Sequence, residues 1–444
     1  MELSEEQTLA FNKYIDGKNI FITGPGGSGK SELIRKIHAH AQSENKKIQV
    51  CALTGCAAVL LKCKAKTIHS WSGIGIAHAP NDEIVDKISK NFFRKKVWKH
   101  IDVLIIDEVS MMSLKIFNLL NQIAQTIRKN RKPFGNIQVI FCGDFYQLPP
   151  VPNNNQLLED KESAQFCFES ENWLSTFDKE CQIPLKKIFR QQDPVYIDIL
   201  NQIREGRLRS SSYKTLLQYV GREIPQDAII KPTKLFPTRN KVDTINYGEM
   251  EKLTDDIKIY EIKTELNLPM TTKEQQQRAQ FSRDDVQREL QYLNSTVLCE
   301  KTVRLKKGAQ VMCIINMELS SGEMLCNGSQ GIILDITPNN LPLVKFTNGV
   351  EMVMEPHIWT SETIPGIGLS QIPLILAWAL TIHKSQGATM DIAEIDIGSG
   401  IFECGQTYVA LSRIKSLEGL YLTSFDVSKI KINKKVKKFY DSGA

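Results

Sequence analysis

Gly24, Gly29, Lys30 and Ser31 stand at the spacing G-x-x-x-x-G-K-S, directly after the apolar run Ile20-Phe21-Ile22. Residues of these types in this order are suited to gripping a polyphosphate. Glycines at 24, 26, 27 and 29, with Ser28 between them, let the backbone wrap closely, so that consecutive N–H groups point inward. A helix opening near Gly29 turns its positive end toward the same anion. Lys30 would reach the outer phosphates and the Ser31 hydroxyl would ligate Mg²⁺. An ordinary glycine-rich turn is the plainer alternative, and the strand before and helix after argue against it.

A second chemical group lies downstream. Val103-Leu-Ile-Ile-Asp107-Glu108 is an apolar run ending in two carboxylates. Asp107 would hold Mg²⁺, directly or through water, and Glu108 would polarise an attacking water. Ile137 to Cys142 is another apolar strand, running into Gly143-Asp144-Phe145-Tyr146-Gln147. A glutamine at a strand end beside a nucleotide can sense its outermost phosphate, or it can merely satisfy loop backbone groups. Upstream, Ser4 and Gln7 form a capping box for a helix ending near Gly17. Gln7 could also read an adenine edge through its paired donor and acceptor.

The elements that position these groups follow from the pattern of apolar residues. Gln49 to Leu53 reads as a strand, and Thr54-Gly-Cys-Ala-Ala58 opens a helix. Thr67-Ile-His69-Ser70-Trp71 follows. Small residues at such helix starts suit a phosphodiester backbone as well as plain packing. Ser113 caps a helix whose Ile116, Leu120, Ile123 and Ile127 form one apolar stripe. Asn153 to Glu162 reads as a surface loop. In the second half, Leu185 to Gln191 reads as a short strand ending in an arginine, Val195 to Arg207 as a helix, and Leu235 to Asn240 as a strand and turn. Thr271 to Asn294 reads as a solvated helix. From Val303 to about Glu355 the pattern changes to short alternating strands, with an Asn348-Gly349 hairpin turn. That pattern predicts a small β-barrel inserted in an α/β domain. Ile375 to Ile382 is a buried strand or short helix leading into His383-Lys384-Ser-Gln-Gly387. Gln406 to Arg413 is helical and Leu420 to Thr423 closes a sheet.

A chain of 444 residues predicts two to four domains. Hydrophobic residues make up 42% and charged ones 24%, as in soluble globular proteins. The net charge of +6 is mild, but Lys62 to Lys66, Arg94 to Lys96, Arg128 to Lys132 and Lys431 to Lys438 are basic clusters. Such clusters usually decorate solvated faces, yet several on one nucleotide-binding chain fit a polyanionic partner. The ten cysteines show no zinc spacing and read as reduced, buried thiols. The acidic start Met1 to Glu6 is no signal peptide, and the longest apolar run, Ile372 to Ile382, is too short to span a bilayer. These features predict a soluble intracellular protein with no membrane association.

Taken in order, GPGGSGKS, LTGCAA, TIHSW, LIIDEVSMM, IFCGDFYQLPP, IFRQ, TIHKSQGAT and YVALSRIKSLEGL resemble the superfamily-one helicases, and within them the PIF-type DNA helicases related to RecD. KGAQVMCIIN and NGSQGII match the same family, so the resemblance covers nearly the whole chain. It implies an α/β fold of two RecA-like domains, 1–180 and 181–444, with ATP between them and single-stranded DNA across their tops. It further implies a wedge-like insertion at about 72–100 and the small barrel at about 303–370. The implied activity is 5′-to-3′ translocation and unwinding of forked or tailed duplex DNA by a monomer, in replication, repair, recombination or telomere maintenance. Gln7, with the loop residues Gly24, Gly26, Gly27, Ser28, Gly29, Lys30 and Ser31, and Gly387 would bind the nucleotide. Gln147 would contact the γ-phosphate, and Arg190 and Arg413 would be arginine fingers from the second domain. Thr54, His69, Ser70, His383 and Lys384 would lie along the DNA.

Three rivals remain at this level. A motor tracking RNA would share every motif, because no sequence pattern marks a 2′-hydroxyl sensor. A nucleotide-gated binding module without turnover would not need Glu108, Gln147 and both arginines together. A small-molecule kinase would share the phosphate loop but not TIHKSQG.

Overall fold

The computed structural model describes residues 3–443 except 62, 64, 76, 78, 152–160, 225–229, 298, 316, 319–323, 326, 362 and 363. The expected surface loop at 153–162 falls almost wholly outside the described residues. The chain divides into two compact units. The first comprises Met1–Arg209, Glu403–Ser412 and Val427–Ala444, and the second Ser210–Phe402 and Arg413–Asp426.

The first unit is built on a six-stranded sheet in the order Lys66–Thr67, Ile48–Ala52, Val103–Asp107, Gln138–Gly143, Ile20–Thr23, Gln182–Pro184. Every pairing in it is parallel. The strands Ile20–Thr23 and Val103–Asp107 are buried along their whole length because both faces of the sheet are covered there. Ile20, Ile22, Ile105 and Ile140 enter one buried cluster with Leu33 and Ile37. The alternate residues Phe21, Leu104, Ile106 and Phe141 enter another with Phe117, Trp98 and Trp173. A period of two sends successive side chains to opposite faces.

The helix Glu5–Ile15 carries the expected capping box: Ser4 Oγ accepts from Gln7 N–H, and Gln7 Oε1 accepts from Ser4 N–H at 2.9 Å. Ser113 caps Leu114–Arg128 through the Ile116 amide. The segment 72–100 holds two helices, Asn81–Lys90 and Phe92–His100. Trp98 Nε1–H donates to the Ser72 carbonyl at 3.1 Å, and Arg128 donates to the carbonyls of Lys99 and Ile101.

The second unit has a smaller parallel sheet, in the order Ala379–Thr381, Thr233–Phe236, Ala393–Ile397, Leu420–Phe425. Beside it in sequence, Gln310–Cys313, Gln330–Ile336, Pro342–Phe346, Glu351–Val353 and Leu374–Leu376 form an antiparallel five-stranded sheet. The Asn348-Gly349 turn is present: Gly349 has φ +86° and the Phe346 amide donates to Val350 O at 2.8 Å.

Several expected elements differ. The strand expected at Leu185–Gln191 lies earlier, at Gln182–Pro184, and the chain after Leu185 leaves the sheet. Thr271–Asn294 is two helices, Thr272–Arg278 and Arg283–Thr296, because Ser282 and Asp285 form a second capping box. Ile375–Ile382 is likewise split, into strands of two different sheets. The compact units do not divide at residue 180. Residues 181–209 belong with the first unit, and the chain returns to it at 403–412 and 427–444. The helix Pro194–Arg204 buries Tyr196, Ile199, Leu200 and Ile203, and Arg204 forms an ion pair with Asp144 at 2.8 Å. Those contacts bind it to the first unit. The helix at 406–411, expected in the second half, belongs to the first unit as well.

Among the described residues no helix is long and apolar enough to cross a membrane. Cys51, Cys63, Cys142, Cys167, Cys181, Cys299 and Cys313 are buried free thiols, and Cys404 is a partly exposed one.

Candidate nucleotide site

The glycine loop begins where the strand Ile20–Thr23 ends and finishes where the helix Lys30–Ser43 begins. Three of its glycines cannot be replaced without collision. Gly24, Gly27 and Gly29 have φ of +145°, +82° and +82°, and a Cβ on each would lie 2.5 Å from Leu185 O, Arg190 Cβ and Gln7 Nε2 respectively. The loop therefore needs residues without side chains for both conformation and space. Lys30 folds over it, with Nζ donating to Gly24 O at 2.7 Å, Pro25 O at 3.0 Å and Ser28 Oγ at 3.3 Å. Burial lowers the Lys30 pKa, against the opposing pull of Asp144, Glu108 and Asp107. An arriving polyphosphate would replace loop carbonyls as its partner.

Asp107 ends the central strand Val103–Asp107 and Glu108 follows in a left-handed conformation, φ +58°. The Glu108 amide donates to Asp107 Oδ1 at 2.9 Å. Burial first, then the neighbouring Glu108, pushes the Asp107 pKa up to about 7. A carboxyl driven this far toward its neutral form is one that a bound cation would return to the charged form. Together with the hydroxyl of Ser31 at the helix start, this donor set fits Mg²⁺.

Gln147 is buried in the turn after Gln138–Gly143, where its amide donates to Asp144 O at 2.8 Å. Gln7 lies on the other side of the loop. It is buried, and its Nε2 donates to Gly29 O at 3.3 Å while Oε1 caps its own helix. Arg190 belongs to the first unit and not to the second. It packs on Gly27, and its Nη1 donates to Ser412 O at 3.0 Å. The structure therefore brings Gln7, the loop, Lys30, Ser31, Asp107, Glu108, Gln147 and Arg190 together within one unit.

The remaining expected residues are distributed. Thr54 caps the helix Gly55–Leu61 by accepting from the Ala57 amide at 3.2 Å. His69 and Ser70 lie on the helix Ile68–Ser72, and burial lowers the His69 pKa. His383, Lys384, Gly387 and Arg413 belong to the second unit. Lys384 pairs with Glu300 at 3.6 Å, Gly387 has φ +83°, and Arg413 is 2% exposed with its carbonyl accepting from the Met390 amide at 3.0 Å.

Four residues that the sequence reading passed over sit against this site. Asp144 is fully buried and receives both Nε and Nη2 of Arg204 at 2.8 Å. Tyr408 Oη accepts from the loop amide of Gly26 at 2.8 Å. Tyr440 reaches Thr23, the last strand residue before the loop. A cavity of about 460 Å³ opens here, lined among others by Thr23, Gly24, Pro25, Tyr146, Arg204 and Tyr440. Asp144 was legible as a polar residue inside a strand-end motif. Its partner lies 60 positions away in sequence, and no local pattern marks that.

Comparison with known proteins points one way. The family model described as PIF1-like helicase matches residues 2–214, and that of the DNA helicase Pif1 2B domain matches 290–336. The chain is 36% identical to the ATP-dependent DNA helicase PIF1 of Danio rerio over 443 residues, 99% of this chain and 64% of that protein. The chain thus spans less than two thirds of that relative's length. The crystal structure of the Candida albicans Pif1 helicase superposes with a TM-score of 0.77 at 35% identity, covering 100% of both chains. A Bacteroides Pif1 helicase in complex with ADP-AlF3 and ssDNA gives a TM-score of 0.66 at 27% identity, covering 100% of this chain and 97% of that one.

Proposed function

The chain belongs to the PIF1-like helicase family, and from that premise we propose that it is an ATP-dependent DNA helicase moving 5′ to 3′ on single-stranded DNA. The observation that carries this reading is the convergence of Lys30, Asp107, Glu108 and Gln147 at the strand ends of one parallel sheet. Relatives bearing the name DNA helicase, and a structural neighbour holding ADP-AlF3 and ssDNA, support the same substrates here.

The residues divide the work. The loop amides and Lys30 hold the phosphates, and Gln7 takes the adenine edge. Ser31 and Asp107 would hold Mg²⁺, which neutralises charge on the phosphates. Glu108 orients a water and accepts its proton as the oxygen attacks the γ-phosphorus. Gln147 reports whether the γ-phosphate is present. Arg190 and Arg413 stabilise the charge that develops on transfer, because a planar, permanently charged fork grips phosphate oxygens. Thr54, His69, Ser70, His383 and Lys384 follow the DNA backbone, and the helical segment 72–100 serves as the wedge. We assign the protein to replication, repair, recombination or telomere maintenance, acting as a monomer at whichever intracellular site holds its DNA.

The test is strand displacement on duplexes bearing a 5′ tail, a 3′ tail or an RNA tracking strand, with ATP turnover measured in parallel. Unwinding from the 5′-tailed DNA is expected. Unwinding only from 3′ tails refutes the polarity, equal use of RNA refutes the DNA assignment, and nucleotide binding without turnover refutes the motor.

A further inference from the structure

Tyr440 lies on the helix Lys434–Asp441, nearly 300 residues beyond the strand-end turn it touches, and no role in the site was expected of it. Its phenolic oxygen is 2.7 Å from the Thr23 hydroxyl and accepts from the Phe145 amide at 3.1 Å. Thr23 is the residue before Gly24, where the phosphate loop begins. Phe145 lies in the turn that ends at Gln147. One hydroxyl therefore joins the root of the phosphate loop to the turn carrying the γ-phosphate sensor. Between the Tyr440 and Thr23 hydroxyls either oxygen can be the donor, since a phenolic oxygen that accepts from Phe145 can still donate its proton or accept a second one.

The surrounding contacts make this joint stiff. The Tyr440 ring stacks on Tyr146, centroids 4.8 Å apart and 17° from parallel. The Arg204 guanidinium lies over the Tyr146 ring at 4.7 Å and grips Asp144 with two hydrogen bonds. Asp144 Oδ1 also accepts from the Tyr146 amide at 3.3 Å, and its carbonyl holds the Gln147 amide. Phe439, adjacent to Tyr440, anchors the helix in the aromatic cluster through Phe168 and Phe145. Every turn residue from Asp144 to Gln147 is thus held by its neighbours. Phe145 and Phe439 pack on Phe21 within the loop strand, and Tyr440 adds a hydrogen bond at Thr23, where that strand meets the loop.

We propose that Tyr440 is a positioning residue for ATP hydrolysis, fixing the separation between the phosphate loop and Gln147. The inference rests on the reading of Gln147 as the γ-phosphate sensor. It predicts that removing only the hydroxyl slows the chemical step and spares binding, since the phosphate loop itself keeps every ligand.

The experiment compares Tyr440→Phe, Gln147→Ala and the double variant for kcat and KM of DNA-stimulated ATP hydrolysis, with Tm measured alongside. Tyr440→Phe keeps the ring and its stacking but takes the acceptor from the buried Phe145 amide, so a modest fall in Tm is expected with the fold intact. Losing the two hydrogen bonds of this hydroxyl is expected to lower kcat about five-fold, with KM nearly unchanged. In the Gln147→Ala background the same change is expected to cost nothing further, because the residue it positions is gone. A general stability role would instead lower kcat by the same factor in both backgrounds, and that result overturns the inference. So does a parent-like kcat for Tyr440→Phe while Gln147→Ala is impaired. If Gln147→Ala itself turns over like the parent, the sensor reading fails instead. Thr23→Val, which removes the other end of the bridge, is expected to match Tyr440→Phe in kcat and to be non-additive with it.

Discussion

The strands Ile20–Thr23 and Ala379–Thr381 each lead into a turn with a lysine at or just beyond it, and the two lysines are handled differently. In the first unit, Ile20–Thr23 runs into a loop with three left-handed glycines, and Lys30 folds back onto loop carbonyls. In the second, Ala379–Thr381 runs into His383-Lys384-Ser385-Gln386-Gly387, and Lys384 points to Glu300 at 3.6 Å. That second turn satisfies its amides internally: Ser385 donates to Thr381 O, Gln386 to His383 O and Ala388 to Ser385 O. A lysine on a strand-end turn is therefore not what makes an anion cradle. The cradle needs backbone that only glycine can adopt in that space, with N–H groups turned inward.

The largest effect that would break this contrast concerns the arginines. Arg413→Ala is expected to cut DNA-stimulated turnover by about 10³–10⁵, the range for an arginine finger. Arg190→Ala should also lower turnover, and because Arg190 caps the Ser412 carbonyl within the first unit, it should lower Tm as well. Stopped-flow phosphate release and a thermal melt decide both. A variant hydrolysing ATP within a few-fold of the parent removes that arginine from the mechanism.

A smaller effect separates the two lysines. Lys30→Ala is expected to abolish measurable nucleotide binding in the absence of DNA. Lys384→Ala should leave that binding intact, weaken single-strand affinity and reduce the slope of log K against log salt by about one. Titration of a fluorescent nucleotide and of a labelled oligonucleotide at several salt concentrations reads both. If Lys384→Ala loses nucleotide binding and keeps its DNA affinity, the division between the two turns is wrong.

The smallest effect is on pH. Burial and Glu108 raise Asp107 to about 7, above its value of about 3.9 in an unfolded chain. Between those values the folded protein binds the extra proton. The nucleotide-free protein should therefore lose stability from this group as pH rises through that window, and no more above it. Mg²⁺ requires the charged carboxylate, so metal-dependent nucleotide affinity should rise over the same range. Melts and titrations between about pH 5 and pH 8 on the parent and Asp107→Asn test this. Identical pH profiles in the two proteins would count against a titrating Asp107.

The phosphate loop, Asp107 and Glu108 were legible in the sequence because each lies within a few residues of its own strand or helix start. Local spacing alone fixes their placement at strand ends and a helix start. The same holds for the Ser4/Gln7 and Ser113 caps and for the Asn348-Gly349 hairpin, where backbone preference is set by the residue itself. The apolar strand read at Ile20-Phe21-Ile22 is present, and its unbroken apolar run fits the burial of both its faces.

Tertiary structure decided what has no local signature. It moved Arg190 and the helix Gln406–Leu411 into the first unit, where Ser412 O, Leu411 O and Gly26 N–H find partners in Arg190, Tyr196 and Tyr408. It supplied Arg204 to a buried Asp144 and Tyr440 to Thr23 and Phe145. A buried charge or amide must find a partner, but nothing in chain order says which one. Periodicity gives the faces of strands and helices, and glycines give the loop. The choice of which distant side chain completes each buried polar group belongs to packing, and in this protein that choice sets how the glycine loop and the turn carrying Gln147 are held together.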